Sequence, residues 1–337
     1  MQQNSVHGTV ERVTGSKPGV GQPTGQPKTG RRGRAWLRSS PSQRRGSAFA
    51  MAGPGLLLCL AMSVIVVTNA VWLIVHHENL LSPQHQFVGA SELRQLLNDH
   101  TLRGSLVVTV VYVATALPIE VALGVGISLL LHYGVRGGRV VRSLIIVPMV
   151  LAPLIVGLIW RMIYDPSAGL LDYFLREVSL PSGTAWLANP HTALWGIILA
   201  DVWQWTPFII IITVAALESL PVDPFEAAQI DGAGTFQTVR HLTLPLLQPA
   251  LAIAVFLRLI GLVNSFASIW AMTMGGPGTT TMTFNVYAYQ QGFVLFFIGY
   301  ATTMCFLYGL LVTFGIMPLA RRVLGFAGDD NLAKAAA

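Results

Sequence analysis

The 337-residue sequence is 53% hydrophobic and only 11% charged, with a formal net charge of +6, which places it among integral membrane proteins and leaves the positive excess to be explained by topology. Its two cysteines, Cys59 and Cys305, both lie in apolar runs and exclude a disulfide framework or a cysteine metal cluster. None of its three lysines, Lys17, Lys28 and Lys334, follows a Gly-x-x-x-x-Gly pattern, so the chain has no phosphate loop with which to hydrolyse ATP by itself.

Residues 1–50 are rich in Gly, Gln, Ser, Thr and Pro and hold nine Lys or Arg against the single acid Glu11. Such a segment is expected to be a disordered basic tail. The cluster Arg31, Arg32, Arg34, Arg38, Arg44 and Arg45 reads as a cytoplasmic flank that orients the first span, with a nucleic-acid arm as the alternative. Residues 55–75 carry no charge and are long enough to cross the hydrocarbon core. A second span is predicted at 106–131, interrupted by Pro118 and Glu120, and a third at 144–163, carrying Pro148 and Pro153; the short loop between them is basic (Arg136, Arg139, Arg142). After a polar connection come a fourth span at 192–217, a polar island at 224–245, a fifth span at 250–272 and a sixth at 299–319. With the amino end inside, one side of the membrane holds sixteen Lys or Arg and the other only Arg94, Arg103, Arg161 and Arg176, as the positive-inside rule requires. Trp72, Trp160, Trp186, Trp195 and Trp270 fall near the outer ends of the spans and read as an aromatic belt.

The polar island carries its own folding signals. Asp223 suits an N-cap, Pro224 the first helical position and Glu226 the reciprocal capping position. Gly232 and Gly234 permit the positive φ that ends such a helix, Thr235 can cap a second one running to Leu242, and Pro245 is expected to stop the polar segment before the next apolar run. The order Glu226-Ala227-Ala228, Gly232, then Leu242-Thr243-Leu244-Pro245 resembles the EAA loop that marks the membrane subunits of bacterial ABC importers. Three further stretches resemble the carbohydrate permeases of that family: Phe87-Val88-Gly89, the text from Glu120 through Gly124, Arg142, Pro148, Trp160 and Gly169-Leu170-Leu171, and the turn Thr273-Met274-Gly275-Gly276-Pro277-Gly278.

The resemblance implies an all-α integral membrane fold of six transmembrane helices, the transmembrane domain of a type I ABC importer. It implies a permease domain at 51–320, its coupling loop at 218–248, between cytoplasmic tails at 1–50 and 321–337. In that reading the first helix of the loop docks in a groove of a cytoplasmic ATPase through Glu226, Ala227, Ala228, Asp231, Gly232 and Pro245. The plainer reading leaves Glu226 a helix cap and Gly232 a helix stop. The implied partners are a second, homologous permease subunit, two ATPase subunits that hold ATP and Mg, an external solute-binding protein or lipoprotein, a carbohydrate and the lipid bilayer, with no nucleic acid. The implied location is the bacterial cytoplasmic membrane.

Charges at bilayer depth must face a protein interior or an aqueous cavity, which applies to Glu120, Asp201 and Arg258. Arg258 shares a helical face with Gly261, Ser265 and Ser268, with Asn264 adjacent; this stripe suits either a path for a hydroxyl-rich solute or close helix packing. Arg258 itself reads equally as pathway lining or as a buried ion pair or inter-subunit contact. Trp203 and Trp205 flank Gln204, an aromatic and amide combination that suits a sugar. The candidate pathway is therefore Glu120, Trp203, Gln204, Arg258, Gly261, Asn264 and Ser265. A secondary transporter using Glu120 and Asp201 as proton carriers is the alternative. A lipid-modifying enzyme lacks any nucleophile or metal constellation in this sequence.

Overall fold

The computed structural model describes residues 41–79, 82–87, 91–134, 138–178 and 183–336. In chain order these form α1 (Pro41–Val75), the strands β1 (His76–Asn79) and β2 (Ser82–Phe87), α2 (Ser91–Asn98), α3 (His100–Tyr133), α4 (Gly138–Val150), α5 (Pro153–Ile163), α6 (Leu170–Glu177), α7 (Ala193–Glu218), α8 (Asp223–Ile230), α9 (Thr235–Thr238), a π turn (Val239–Thr243), α10 (Leu244–Val263), α11 (Ala267–Thr273), α12 (Phe284–Tyr289), a second π turn (Gln290–Val294) and α13 (Ile298–Ala336). The fold is all-helical through the membrane-crossing segments. The departure among the described residues is the antiparallel β1–β2 hairpin.

Compact units divide at Ser63/Val64. The first contributes the described residues 41–63, which are helical, so the last ten residues of the expected disordered tail belong to α1; residues 1–40 lie outside the described residues. The second holds the core. At the other end α13 is helical to Ala336 and so includes the residues from 321 onward. Of the motif Phe87-Val88-Gly89, the last two residues lie outside the described residues.

Among the described residues five helical segments are long and apolar enough to cross a membrane, and the bent pair Leu144–Val150 and Pro153–Ile163 makes a sixth if taken as one span. The third span, expected at 144–163, is thus not one continuous helix: it turns by 107° at Leu151–Ala152. Pro153, at the first position of α5, has no N–H to continue the ladder, and Ala152 is extended (φ −62, ψ 135). The fifth span also differs from the expected 250–272. It ends at Val263, with Asn264 as its cap, and α11 restarts after a break at Phe266 (φ −142, ψ −56).

Small residues set the helix crossings. A Cβ on Gly124 of α3 would come within 2.5 Å of Ile209 of α7, and one on Gly157 of α5 within 2.7 Å of the Ser268 carbonyl of α11. Without a hydrophobic drive between helices in lipid, such close approach is what packing gains from. The core gathers Tyr112 and Ala116 from α3, Ile197 and Val202 from α7, Leu262 from α10, Ile269 from α11, Val286 from α12 and Met304 from α13. Of the five belt tryptophans, Trp72 and Trp195 are exposed, as lipid-interface anchors should be, whereas Trp160, Trp186 and Trp270 pack against this core.

Candidate functional site

Two places concentrate the polar residues singled out from the sequence. The first is buried. Arg258 of α10 donates from Nε to Glu120 Oε2 of α3 at 2.6 Å and from Nη2 to Glu120 Oε1 at 2.8 Å, a bidentate pair, and Nη2 also reaches Asp201 Oδ2 of α7. Exposure is 0% for Glu120, 2% for Asp201 and 4% for Arg258. The Arg258 guanidinium carbon lies over the Trp205 ring, 5.0 Å from its centroid, a cation–π contact. One side chain thereby ties spans two, four and five together.

The other pathway candidates divide around this cluster. Gly261 belongs to it, since a Cβ there would lie 3.2 Å from Arg258 Nη1. Ser265 lies at its edge, its Oγ accepting from the buried Tyr112 hydroxyl at 3.3 Å. Gln204 does something else: 1% exposed, it donates from Nε2 to the Leu151 carbonyl at 3.0 Å and so holds the corner of the broken third span. Asn264 is exposed and donates back to the Ile260 carbonyl at 2.8 Å, and Trp203, 40% exposed, meets Trp160 edge-on with ring centroids 5.8 Å apart. Ser268 leaves the stripe altogether, because the break at 264–266 turns it toward α5.

The second place is the loop formed by α8 and α9, at the opposite end of α7 from the α5–α11 contact. None of the α8 residues is buried, and the apolar side chains Val222 (63%), Ile230 (87%) and Phe236 (75%) stand exposed around it. Val222 occupies the cap position with no side chain to offer, so Asp223 is the first helical residue, not the cap. Asp223 and Glu226 still place negative charge in the first turn, where the helix dipole favours it. Asp231 caps the far end, and Gly232, at φ +74 with open space around it, makes the left-handed turn. Gly234 is not left-handed (φ −71). It serves as the cap of α9, its N–H donating to Gln237 Oε1 at 3.1 Å, in the role expected of Thr235. Pro245 does not stop the second helix. The π turn Val239–Thr243 precedes it, with Leu244 N–H bonding Val239 O, and the chain runs on helically into α10. Glu226, Ala227, Ala228, Asp231 and Gly232 thus share one short helix and its end, while Pro245 belongs to the span that follows.

A third polar centre escaped the sequence reading. Asp99 caps α3, Oδ1 accepting from Thr101 N at 2.8 Å and Leu102 N at 3.1 Å, while Oδ2 accepts from the hydroxyls of Tyr287 (2.6 Å) and Tyr300. Burial alone would raise this carboxyl, but the two tyrosine hydroxyls and the amides of Leu102 and Thr101 outweigh it and hold it below its ordinary value. An Asp just before an apolar run is a legible cap signal; its two tyrosine partners, far along the chain, are not.

Residues 120–323 match the family described as binding-protein-dependent transport system inner membrane component. The chain is 38% identical over 237 residues to a probable ABC transporter permease protein of Sinorhizobium fredii, covering 70% of this chain and 76% of the other. It is 32% identical over 242 residues to the trehalose/maltose transport system permease protein MalF of Thermococcus litoralis, covering 72% and 82%. Its fold is similar to that of a chain in the crystal structure of a bacterial alginate ABC transporter in complex with alginate pentasaccharide-bound periplasmic protein, with a TM-score of 0.70 at 19% identity over 82% of this chain and 93% of that one. With five or six apolar segments among the described residues, an exposed helical loop before the fifth and a family match that includes that loop, the chain belongs to the inner-membrane components of binding-protein-dependent ABC transport systems.

Proposed function

We propose that this permease subunit carries a carbohydrate, namely a sugar, sugar alcohol or sugar derivative, into the cytoplasm by alternating access driven by separate ATPase subunits. Support for the substrate class comes from the trehalose/maltose permease to which the chain is similar. The observation that carries the coupling is α8, a helix with no buried residue and an apolar rim, which offers an ATPase groove a ready surface. In this reading the complex contains a second homologous permease subunit, two ATPase subunits and an external solute-binding protein, and ATP and magnesium reside in the ATPase subunits. The permease domain at 51–320 lies between two cytoplasmic tails, and the loop at 218–248 faces the cytoplasm.

Closure of the ATPase pair then moves α8 as a lever, and the spans pass from inward-open to outward-open. That shift needs a difference in affinity between the two states, supplied by ATP on one side and the loaded binding protein on the other. The block of spans joined by Arg258 moves as one body in this scheme. Glu120, Arg258, Gly261 and Ser265 lie beside the solute path, with Trp203, Gln204 and Asn264 on its flanks.

Uptake of radiolabelled sugars into vesicles holding the reconstituted complex tests the reading. Transport that requires internal ATP and the binding protein is expected. Uptake that survives ATP depletion while an ion gradient persists would instead establish the secondary-transporter alternative. Cysteines placed at Gly234 and Gly278 test the topology: labelling of the first only from the cytoplasm and of the second only from outside is expected, and the reverse pattern overturns it.

A further inference from the structure

The Thr273–Gly278 turn has no part in the coupling or in the buried cluster, yet it is built with care. Met274, Gly275 and Gly278 all have positive φ (52, 95 and 57). Thr273 Oγ1 and Thr281 Oγ1 lie 2.7 Å apart, Thr281 Oγ1 donates to Gly276 O at 2.7 Å, and Gln290 Nε2 donates to Met274 O at 2.9 Å. This turn forms one wall of a cleft of about 440 Å³, whose other walls are the end of α5 and the segment around Ala185–Ala188. The turn wall is therefore preformed, which lowers the ordering cost of whatever enters.

The polar groups in the cleft are unequal. Asp165 is already satisfied by its own turn, accepting at Oδ1 from Ser167 N (2.9 Å), Ser167 Oγ (2.5 Å) and Ala168 N (3.0 Å). Tyr164 gives its hydroxyl to the Gly196 carbonyl at 3.1 Å. Arg161 is different. It is exposed, it has no carboxylate partner among the described residues, and its one hydrogen bond is a long 3.4 Å contact from Nη1 to the Ala271 carbonyl. A guanidinium has five donors, and its planar fork matches a carboxylate.

Position decides which carboxylate. The cleft adjoins the start of α7 through Tyr164 and Gly196, whereas α8 follows the end of α7, 26 residues or about 39 Å later. The cleft therefore opens on the membrane side opposite the coupling helix. We propose that it is a docking pocket for the external solute-binding protein, with Arg161 receiving an Asp or Glu side chain from a surface loop of that protein; this rests on the importer reading above. The spans need not open for such a loop to enter, which suits a partner that must bind before transport begins.

The test uses the complex with its ATPase subunits in vesicles, and as probe the solute-binding protein that most stimulates the wild type. The quantity read is the probe concentration giving half-maximal stimulation of ATP hydrolysis, at low and at high salt. Arg161→Glu is expected to raise it about ten-fold at low salt and less at high salt, because like charges then meet at an exposed rim. Arg161→Lys should stay close to wild type, and an Asp→Lys or Glu→Lys change in the probe should restore Arg161→Glu. Co-purification of the ATPase subunits checks assembly. If Arg161→Glu does not assemble, Ala188→Trp fills the cleft from the facing wall without altering charge and should raise the same quantity. Half-saturation unchanged from wild type in the assembled variants overturns the proposal. So does an Arg161→Glu complex that responds normally to the probe but loses uptake of acidic sugars alone, which would place the carboxylate on the solute. A wild-type complex that no binding protein stimulates overturns the importer reading and the pocket with it.

Discussion

Arg258 and Glu226 are both charged residues near the fifth span, yet they live under opposite rules. Arg258 is 4% exposed, held by Glu120 and Asp201, and in cation–π contact with Trp205. Glu226 stands exposed on a helix with no buried residue. In the buried cluster every charge has its partner inside the chain, so a change there acts on the fold. In the proposed coupling the partners of α8 come from outside the chain, so a change there should leave the fold and remove the association. The contrast separates charges that are satisfied within the fold from charges that face solvent.

The sharpest way to break this contrast is Arg258→Met. It leaves two carboxylates buried without a cation, and removing one partner of a buried ionic group costs about 3–5 kcal/mol. The expected result is a large fall in thermal stability in detergent and loss of assembled complex. The triple variant Glu120→Gln, Asp201→Asn, Arg258→Met removes the charges together and should recover much of the stability. Transport by that triple variant then reports on the pathway role alone. Near wild-type assembly of Arg258→Met would show that the cluster does not hold the spans.

Asp99 lies between the two extremes, joined to three elements yet partly exposed. Asp99→Ala removes a helix cap and two hydrogen bonds to a charged acceptor, for a loss of about 2–4 kcal/mol, read as a lower melting temperature. Because folding depresses this carboxyl, its contribution is present above the unfolded value of about 3.9 and is lost as pH falls through the folded value. Wild type minus Asp99→Ala should therefore be constant near neutral pH and shrink below about pH 4. A difference independent of pH down to strong acid would mean that the charge plays no part.

Gly232→Leu forces a branched residue into a left-handed conformation at φ +74, a strain of about 1–2 kcal/mol although nothing crowds the site. Co-purification of the ATPase subunits should fall while the spans remain folded. Ala227→Trp changes an exposed position of α8, so its effect should appear chiefly on docking, as overpacking worth about 1–3 kcal/mol. Smallest of all for the fold is Glu226→Ala, within about 0.5 kcal/mol of wild-type stability, as expected of an exposed site. Its consequence should lie in binding-protein-stimulated ATP hydrolysis. Wild-type docking and stimulation in all three loop variants would mean that α8 is not the coupling element.

The spans were legible because a hydrocarbon solvent leaves so few options: a run of about twenty apolar residues must be helical to satisfy its backbone. Gly232 was legible for a similarly local reason, since a turn after a short capped helix calls for positive φ. Asp223, Gly234 and Pro245 show where local reasoning stops. Each has a strong intrinsic preference, but a one-residue shift in the start of α8, a glycine cap with Gln237 as acceptor, and a π turn ahead of the proline satisfied the backbone differently. The fifth span was drawn too long because hydropathy does not register the break at Phe266, which is as apolar as its neighbours.

The amino-acid sequence by itself determined that this is a helical membrane protein, which segments cross, and where a polar loop of permease type interrupts them, because those properties depend on transfer free energy and on residues close together in the chain. Only the tertiary structure decided what Arg258 touches, since Glu120 and Asp201 lie 138 and 57 residues away and either could equally have faced water. Only it showed that Gln204 serves the corner of the third span and that Asp99 joins Tyr287 and Tyr300. A buried polar group must find a partner, but which partner is settled by how helices cross, and the crossings depend on close backbone approaches at residues such as Gly124 and Gly157 that carry no polarity to announce them.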